Sequence, residues 1–286
     1  MKTLLSIGHG FSARYVEDLL RPKGWTIIAT TRKAEKAEAM RARGLEAVIW
    51  PGEDLTPWVA KATHVLTSVS PNEDGDPVLN QCADALRSAK HLKWVGYLST
   101  TGVYGDHQGG WVDEDTALTP STKRGKLRVM AEAAWAELDL PLHIFRLAGI
   151  YGPGRGPFSK VRNGTARRII KENQLFSRIH GEDIGQIVVS SINQPNPGAV
   201  YNLCDDMAAP PEDVIAYAAE LLGMPIPPAV DYETADMTPM ARSFYAESKR
   251  VRNDKIKSEL GVTLKYPDYK IGLKALLEEE TKKASE

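Results

Sequence analysis

Thr3-Leu4-Leu5-Ser6-Ile7-Gly8-His9-Gly10-Phe11-Ser12-Ala13 is the stretch whose reading decides the fold of this chain. Thr3–Ile7 reads as a strand and Phe11–Leu20 as a helix, with only two glycines and a histidine between them. Glycine at 8 permits a tight turn, and glycine at 10 lets the backbone approach a pyrophosphate. A small residue at 13 lets the helix pack closely on the strand. Amides at the start of such a helix attract phosphate. The segment therefore predicts a Rossmann dinucleotide-binding unit, with Gly8, Gly10, Phe11, Ser12 and Ala13 around the phosphates.

The next strand, Thr26–Thr30, refines this expectation. An NAD site places Asp or Glu about 20 residues beyond the glycines, to hold the ribose 2′-hydroxyl. Here the strand runs out as Ala29-Thr30-Thr31-Arg32-Lys33, with no acid. Arg32 can pair with a 2′-phosphate, Thr31 can donate a hydroxyl, and Lys33 adds positive charge. The expected cofactor is NADP (NADPH). The competing reading makes Arg32 and Lys33 the solvated start of the following helix.

Outward from this unit the pattern repeats. Strands are expected at Ala47–Trp50, His64–Ser68, Trp94–Ser99 and Leu142–Leu147. Helices are expected at Ala34–Arg43, Val78–Ala89 and Lys126–Leu138. Strands alternating with helices give parallel βαβ units and an α/β doubly wound sheet. After Arg146 the pattern loosens through the Pro- and Gly-rich Tyr151–Pro157 and the basic Lys160–Arg168. A helix at Gly185–Ile192 and a strand at Ala199–Leu203 then return to the sheet. Glu212–Leu222 and Lys270–Lys283 read as later helices. The expected division is a Rossmann domain over 1–155, rejoined at about 178–204. A smaller substrate lobe is expected from 156–177 and 205–286.

Composition excludes some classes. The 286 residues carry a formal net charge of -1, so no global field draws nucleic acid or a membrane surface. The N-terminus shows no secretion signal, and no run is apolar enough to span a bilayer. Cys82 and Cys204 form no CxxC pair, which suits buried thiols in a reducing compartment rather than a disulfide or metal site. A cytoplasmic protein with no bound metal is expected, with room for a homodimer.

Further strings lie in order along the chain: Asp54-Leu55, Leu98-Ser99-Thr100-Thr101-Gly102-Val103-Tyr104-Gly105, Arg146-Leu147-Ala148-Gly149-Ile150-Tyr151-Gly152-Pro153-Gly154-Arg155, Ile179-His180-Gly181-Glu182-Asp183-Ile184 and Tyr201-Asn202-Leu203. Together with the glycine loop they resemble the extended short-chain dehydrogenase/reductase family, which includes nucleotide-sugar epimerases and dehydratases. The resemblance spans nearly the whole chain. It implies that Asp54 and Leu55 meet the adenine and that Ser68, Val69 and Ser70 line the cofactor. It also implies that Thr100 bonds the substrate oxygen and that Ala148, Gly149 and Ile150 sit near the nicotinamide.

One departure is central. The family's YxxxK pair supplies a proton-transferring tyrosine and a ribose-holding lysine. Anchoring the helix on Gly125 and Glu132 puts Arg124 where the tyrosine belongs and Arg128 where the lysine belongs. A second register puts Thr122 and Lys126 there. Neither contains tyrosine, and arginine stays protonated, so it cannot be a general base. Arg128 can still hold ribose hydroxyls. Candidates for the missing acid/base are Tyr104, Tyr151 and His180. Asp76, ahead of Pro77, reads as a helix cap, or as the aspartate that a divergent branch of the family carries in its active site.

On the substrate side, Arg155, Lys160, Arg162, Arg167, Arg168 and Arg178 cluster where the family builds its substrate lobe. With Thr100 nearby, they suit a small anionic substrate, phosphorylated or nucleotide-sugar-like. The competing reading is a solvated basic surface. The expected activity is that of an NADP-dependent oxidoreductase, epimerase or dehydratase lacking the usual tyrosine. The alternative is a non-catalytic NADP-binding sensor or interaction protein.

Overall fold

The structure is a computed structural model that describes residues 2–285. The first half runs β1 (Thr3–Ile7), α1 (Phe11–Leu20), β2 (Thr26–Thr31), α2 (Ala34–Ala42), β3 (Glu46–Ile49), α3 (Thr56–Lys61), β4 (His64–Thr67), α4 (Pro77–Ser88) and β5 (Trp94–Thr100). It continues through β6 (Trp111–Val112), α5 (Lys123–Ala136), β7 (Leu142–Leu147), β8 (Gly149–Tyr151), α6 (Phe158–Arg162), β9 (Arg168–Ile170) and β10 (Arg178–His180). Then follow α7 (Gly181–Asn193), β11 (Val200–Leu203), α8 (Pro211–Leu221), β12 (Ala229–Asp231), α9 (Pro239–Phe244), β13 (Arg250–Val251), α10 (Asp254–Ser258) and α11 (Tyr269–Ser285).

Seven strands form one parallel sheet in the order β11-β7-β5-β4-β1-β2-β3. All five residues of β1 are buried, as a strand covered by helices on both faces requires. One face packs Val16, Leu20, Ile184 and Ile187 from α1 and α7, together with Ile256 and Leu260. The other packs Val59, Val78, Leu86 and Trp135 from α3, α4 and α5. Strand order reverses between β1 and β4, which leaves a crevice beyond their carboxyl ends. A separate apolar cluster of Tyr151, Phe158, Val214, Ala218 and Leu273 ties α6, α8 and α11 into a second body of packing.

The sheet strands fall within a residue or so of the expected positions. Two helices start earlier than expected. At α5, the Thr122 hydroxyl accepts from the Gly125 amide at 3.1 Å and fixes the start at Lys123. At α7, the His180 Nδ1 accepts from the Glu182 amide at 3.2 Å, with Glu182 and Asp183 in the first turn. Acids there complement the helix dipole, so the helix opens at Gly181 rather than Gly185.

Candidate functional site

A cleft of ≈ 660 Å³ opens along the carboxyl ends of the central strands. Gly8, Gly10, Phe11, Ser12, Ser68, Ser70 and Arg128 line it together with Thr100 and Ala148–Ile150. Arg124, Tyr151, Arg155, Phe176, Arg178, Phe244, Glu247 and Lys249 complete the wall.

The glycine loop is held open by its own geometry. Gly8 has φ 75°, and a Cβ there would stand 2.9 Å from Val69 Cγ2, so position 8 needs glycine on both counts. The Gly8 amide donates to Thr30 Oγ1 at 2.8 Å and the His9 amide to the Thr30 carbonyl at 3.1 Å. These bonds place the loop beside the end of β2, two residues short of Arg32. No side chain caps α1, so its first amides stay open to a ligand. Ser68 Oγ is buried on the cleft wall without a hydrogen-bond partner among the described residues. A pyrophosphate at this helix start fits that donor set. Arg32 is exposed at the end of β2 and forms no side-chain hydrogen bond or ion pair among the described residues; Lys33 beside it is likewise exposed.

Arg128, which one of the two registers sets in the lysine's place, lines the cleft. Its Nη1 donates to Tyr97 Oη at 2.8 Å and the Leu98 carbonyl at 2.9 Å, and its Nη2 donates to Ser70 Oγ at 3.1 Å. The guanidinium is therefore fixed between β4 and β5 while still lining the cleft. Arg124 lies one turn earlier on the same helix face, its guanidinium 4.6 Å from the Phe244 ring centre. The side chain of Lys126 is exposed and off this wall. Thr122 lines the cleft, but its hydroxyl is spent on capping α5.

Positive charge gathers on the cleft wall, with Arg155 over the Phe11 ring at 5.5 Å. Arg155 donates through Nε to the Ile150 carbonyl, and Arg178 donates through Nη1 to the Phe176 and Ala209 carbonyls. Burial pushes the Arg178 guanidinium below its usual range and holds the neighbouring Asp205 carboxyl well above its own. Among the described residues the ion-paired arginines are 21, 43, 87, 146, 162 and 252. None of Arg124, Arg128, Arg155 or Arg178 is among them, so four cleft guanidiniums make no salt bridge with the described residues. Lys160, Arg162, Arg167 and Arg168 point elsewhere; Arg162, for example, pairs with Glu280 at 2.7 Å.

Several expected site residues lie off the wall. Tyr104 is 0% exposed; its hydroxyl donates to Asn202 Oδ1 at 2.7 Å and accepts from Arg146 at 3.0 Å. The 3₁₀ turn Thr101–Tyr104 carries it behind the sheet end, where it joins the buried Glu132–Arg146 pair. His180 caps α7, and its ring is enclosed by Tyr15, Tyr151 and Tyr266. Burial lowers its pKa to about 4. Asp76 caps α4 through Val78 and Leu79, and its second oxygen accepts from Trp135 Nε1 at 3.0 Å. Leu55 is wholly buried in the core, and the Asp54 carboxylate, held below its ordinary range, accepts from the Thr56 amide. Tyr151 does line the cleft, but its hydroxyl turns to the Asp268 carbonyl and burial raises its pKa. Thr100 lines the cleft half-exposed, its hydroxyl accepting from the Gly102 amide at 3.2 Å.

Sequence reasoning missed Phe244, Glu247 and Lys249. No motif marks them, since they reach the cleft from the end of α9 and the loop after it, more than a hundred residues beyond α5.

No family model matches the chain. A functionally unknown conserved protein from Silicibacter pomeroyi is 59% identical over 98% of this chain and 99% of its own, with a TM-score of 0.94. A candidate NAD-dependent epimerase/dehydratase from Methylobacillus flagellatus is 26% identical, covers 98% of each chain and gives a TM-score of 0.72. The chain belongs to the family of the first. Protein YeeZ of Escherichia coli matches this chain at 27% identity over 94% of it and 97% of YeeZ. At 17–19% identity the fold extends to nucleotide-sugar epimerase and dehydratase structures solved with NAD, and to a human epimerase-family protein solved with NADPH.

Proposed function

We propose that the protein is an NADP-dependent oxidoreductase of the epimerase/dehydratase type, acting at a hydroxyl or carbonyl carbon of a small anionic substrate. The observation that carries this reading is one cleft lined both by the uncapped amides at the start of α1 and by guanidiniums that make no salt bridge among the described residues. A dinucleotide cofactor suits the helix amides, and distant neighbours of the fold carry NAD or NADPH. The choice of NADP rests on Arg32 and on the lack of an acid at the end of β2.

Bound NADP would supply hydride exchange at its nicotinamide ring. The chain's own residues do the rest. Gly10, Phe11 and Ser12 amides hold phosphate, Ser68 and Ser70 border the cofactor, and Arg128 offers its remaining N–H groups to ribose hydroxyls. Thr100 orients the substrate oxygen. Arg155 and Arg178 hold the substrate's phosphate or carboxylate, where desolvation strengthens each charge-assisted bond. No helix in the described residues is long and apolar enough to cross a membrane. We also propose a cytoplasmic setting, in which the buried free thiols Cys82 and Cys204 stay reduced.

The test is to follow NADPH absorbance with a panel of phosphorylated sugars and carbonyl compounds, each in both directions. Turnover of an anionic member, lost in Arg178→Met, is the expected result. A second reading, a non-catalytic NADP-binding sensor, is favoured by arginine at position 124. Tight NADPH binding with no turnover across the panel would select it.

A further inference from the structure

Proton transfer at the substrate oxygen needs a group that can lose and regain a proton, and few cleft residues qualify. Four of the charged side chains on its wall are arginines, which do not deprotonate. Tyr151 turns its hydroxyl away to the Asp268 carbonyl. Among the described lining residues only Glu247 and Lys249 are left, apart from serine and threonine hydroxyls.

These two are built in firmly. Glu247 is 9% exposed and Lys249 8%, and they pair at 2.8 Å. Lys249 Nζ also donates to the Gly105 carbonyl at 2.7 Å, on the turn that follows Thr100. Glu247 accepts from Ser121 Oγ at 2.7 Å, just before the cap of α5. Ser248 between them takes a bond from its amide to Asp106 and one from its hydroxyl to the Asn173 carbonyl. The pair is thus fastened to the two elements that bring Thr100 and Arg124 to the cleft. An ammonium has three N–H donors, and two are used, so one is left without a protein acceptor among the described residues. A buried ion pair is a weak source of stability, so mere clamping accounts poorly for its place on a cleft wall.

We propose that Lys249 is the proton donor and acceptor for the substrate oxygen, with Glu247 as its positioning residue, filling the task that Arg124 cannot perform. The inference rests on the oxidoreductase reading above. In the reducing direction, hydride from the reduced nicotinamide dinucleotide bonds to the carbonyl carbon. The C=O π pair moves to oxygen, which takes a proton from Lys249 Nζ as that N–H bond breaks. The carbonyl is reduced to an alcohol and the nicotinamide is oxidised. Lys249, left as the neutral amine, regains its proton from water, and oxidation runs the same transfer backwards.

Two measurements test this. Trace acylation with acetic anhydride, read by peptide mass spectrometry, is expected to label Lys249 in the folded wild-type protein. A lysine serving only as an internal clip stays unlabelled, which overturns the proposal. In kinetics with the NADPH panel, Lys249→Arg keeps the charge but cannot pass a proton. It is expected to melt and bind NADPH as wild type does, yet to lose turnover by about 10²-fold or more. Retained turnover in Lys249→Arg overturns the proposal, because a clamp would be served equally well by arginine. Glu247→Gln is expected to lose less. If Lys249→Arg fails to fold, the double variant Glu247→Gln/Lys249→Met, which leaves no stranded charge, is read instead, and retained turnover in it likewise overturns the proposal. A wild-type protein that turns over nothing counts against the oxidoreductase reading, while an unlabelled Lys249 counts against this one.

Discussion

Replacing Arg32 with alanine separates cofactor choice from everything else in the molecule. Arg32 is exposed and forms no side-chain hydrogen bond or ion pair among the described residues, so its removal strands no buried partner there. Surface changes of that kind stay within about 0.5 kcal/mol of wild-type stability. The whole effect should therefore fall on the 2′-phosphate. A hydrogen bond to a charged group contributes about 1.5–3 kcal/mol, and about 1.4 kcal/mol is tenfold in affinity. Arg32→Ala is expected to weaken NADPH binding by roughly 10- to 150-fold and to leave NADH unchanged. Charge reversal in Arg32→Glu should weaken NADPH further. Nicotinamide fluorescence titrations at fixed ionic strength measure both constants. Because the contact is exposed, the discrimination should shrink as salt rises. Equal binding of NADPH and NADH by the wild type, or indifference of the NADPH constant to Arg32→Ala, refutes the assignment.

Gly8→Ala forces a side chain into φ 75° and against Val69 Cγ2, and is expected to weaken NADPH binding by more than about tenfold, measured by the same titration. Glu132→Gln leaves Arg146, 5% exposed, without its acid, at a cost of about 3–5 kcal/mol. Calorimetry should show the melting temperature lower by roughly 6–15 °C, with partial recovery in Glu132→Gln/Arg146→Met. His180 and His64 are held near pKa 4 by burial, below the ~6.5 of an unfolded chain. Between those values the unfolded state binds more protons, so stability is present above pH 6.5 and is lost as pH falls towards 4. Urea midpoints should drop between pH 7 and pH 5, and drop less in His180→Asn, which keeps a capping side chain; an equal drop in both would contradict the assignment.

The sheet was legible because its signals are local. Gly8 and Gly10 act through the backbone within a few residues, and each strand announces itself by composition. The candidate site was legible only where it borders that unit. Tyr104 lies four residues past Thr100, and sequence distance alone cannot show that a 3₁₀ turn swings it back onto Asn202 and Arg146. His180 carried a readable signal, a capping side chain followed by two acids, which marks a helix start more than a catalytic position. Glu247 and Lys249 carried none. Their place depends on how the loop after α9 lies across Gly105 and Ser121, a contact between residues over 120 apart in sequence. The two registers read for α5 differ by two residues, a shift that local sequence does not resolve, and in the fold Thr122, Arg124 and Arg128 line the cleft while Lys126 does not.

The central claim, that this cleft holds NADP by the glycine loop, is tested most directly by a crystal structure of the protein grown with NADPH. The expected result is a dinucleotide with its pyrophosphate on the Gly10–Ser12 amides, its 2′-phosphate against Arg32 and its nicotinamide towards Thr100. An empty cleft at saturating NADPH, or a dinucleotide bound elsewhere, would contradict it.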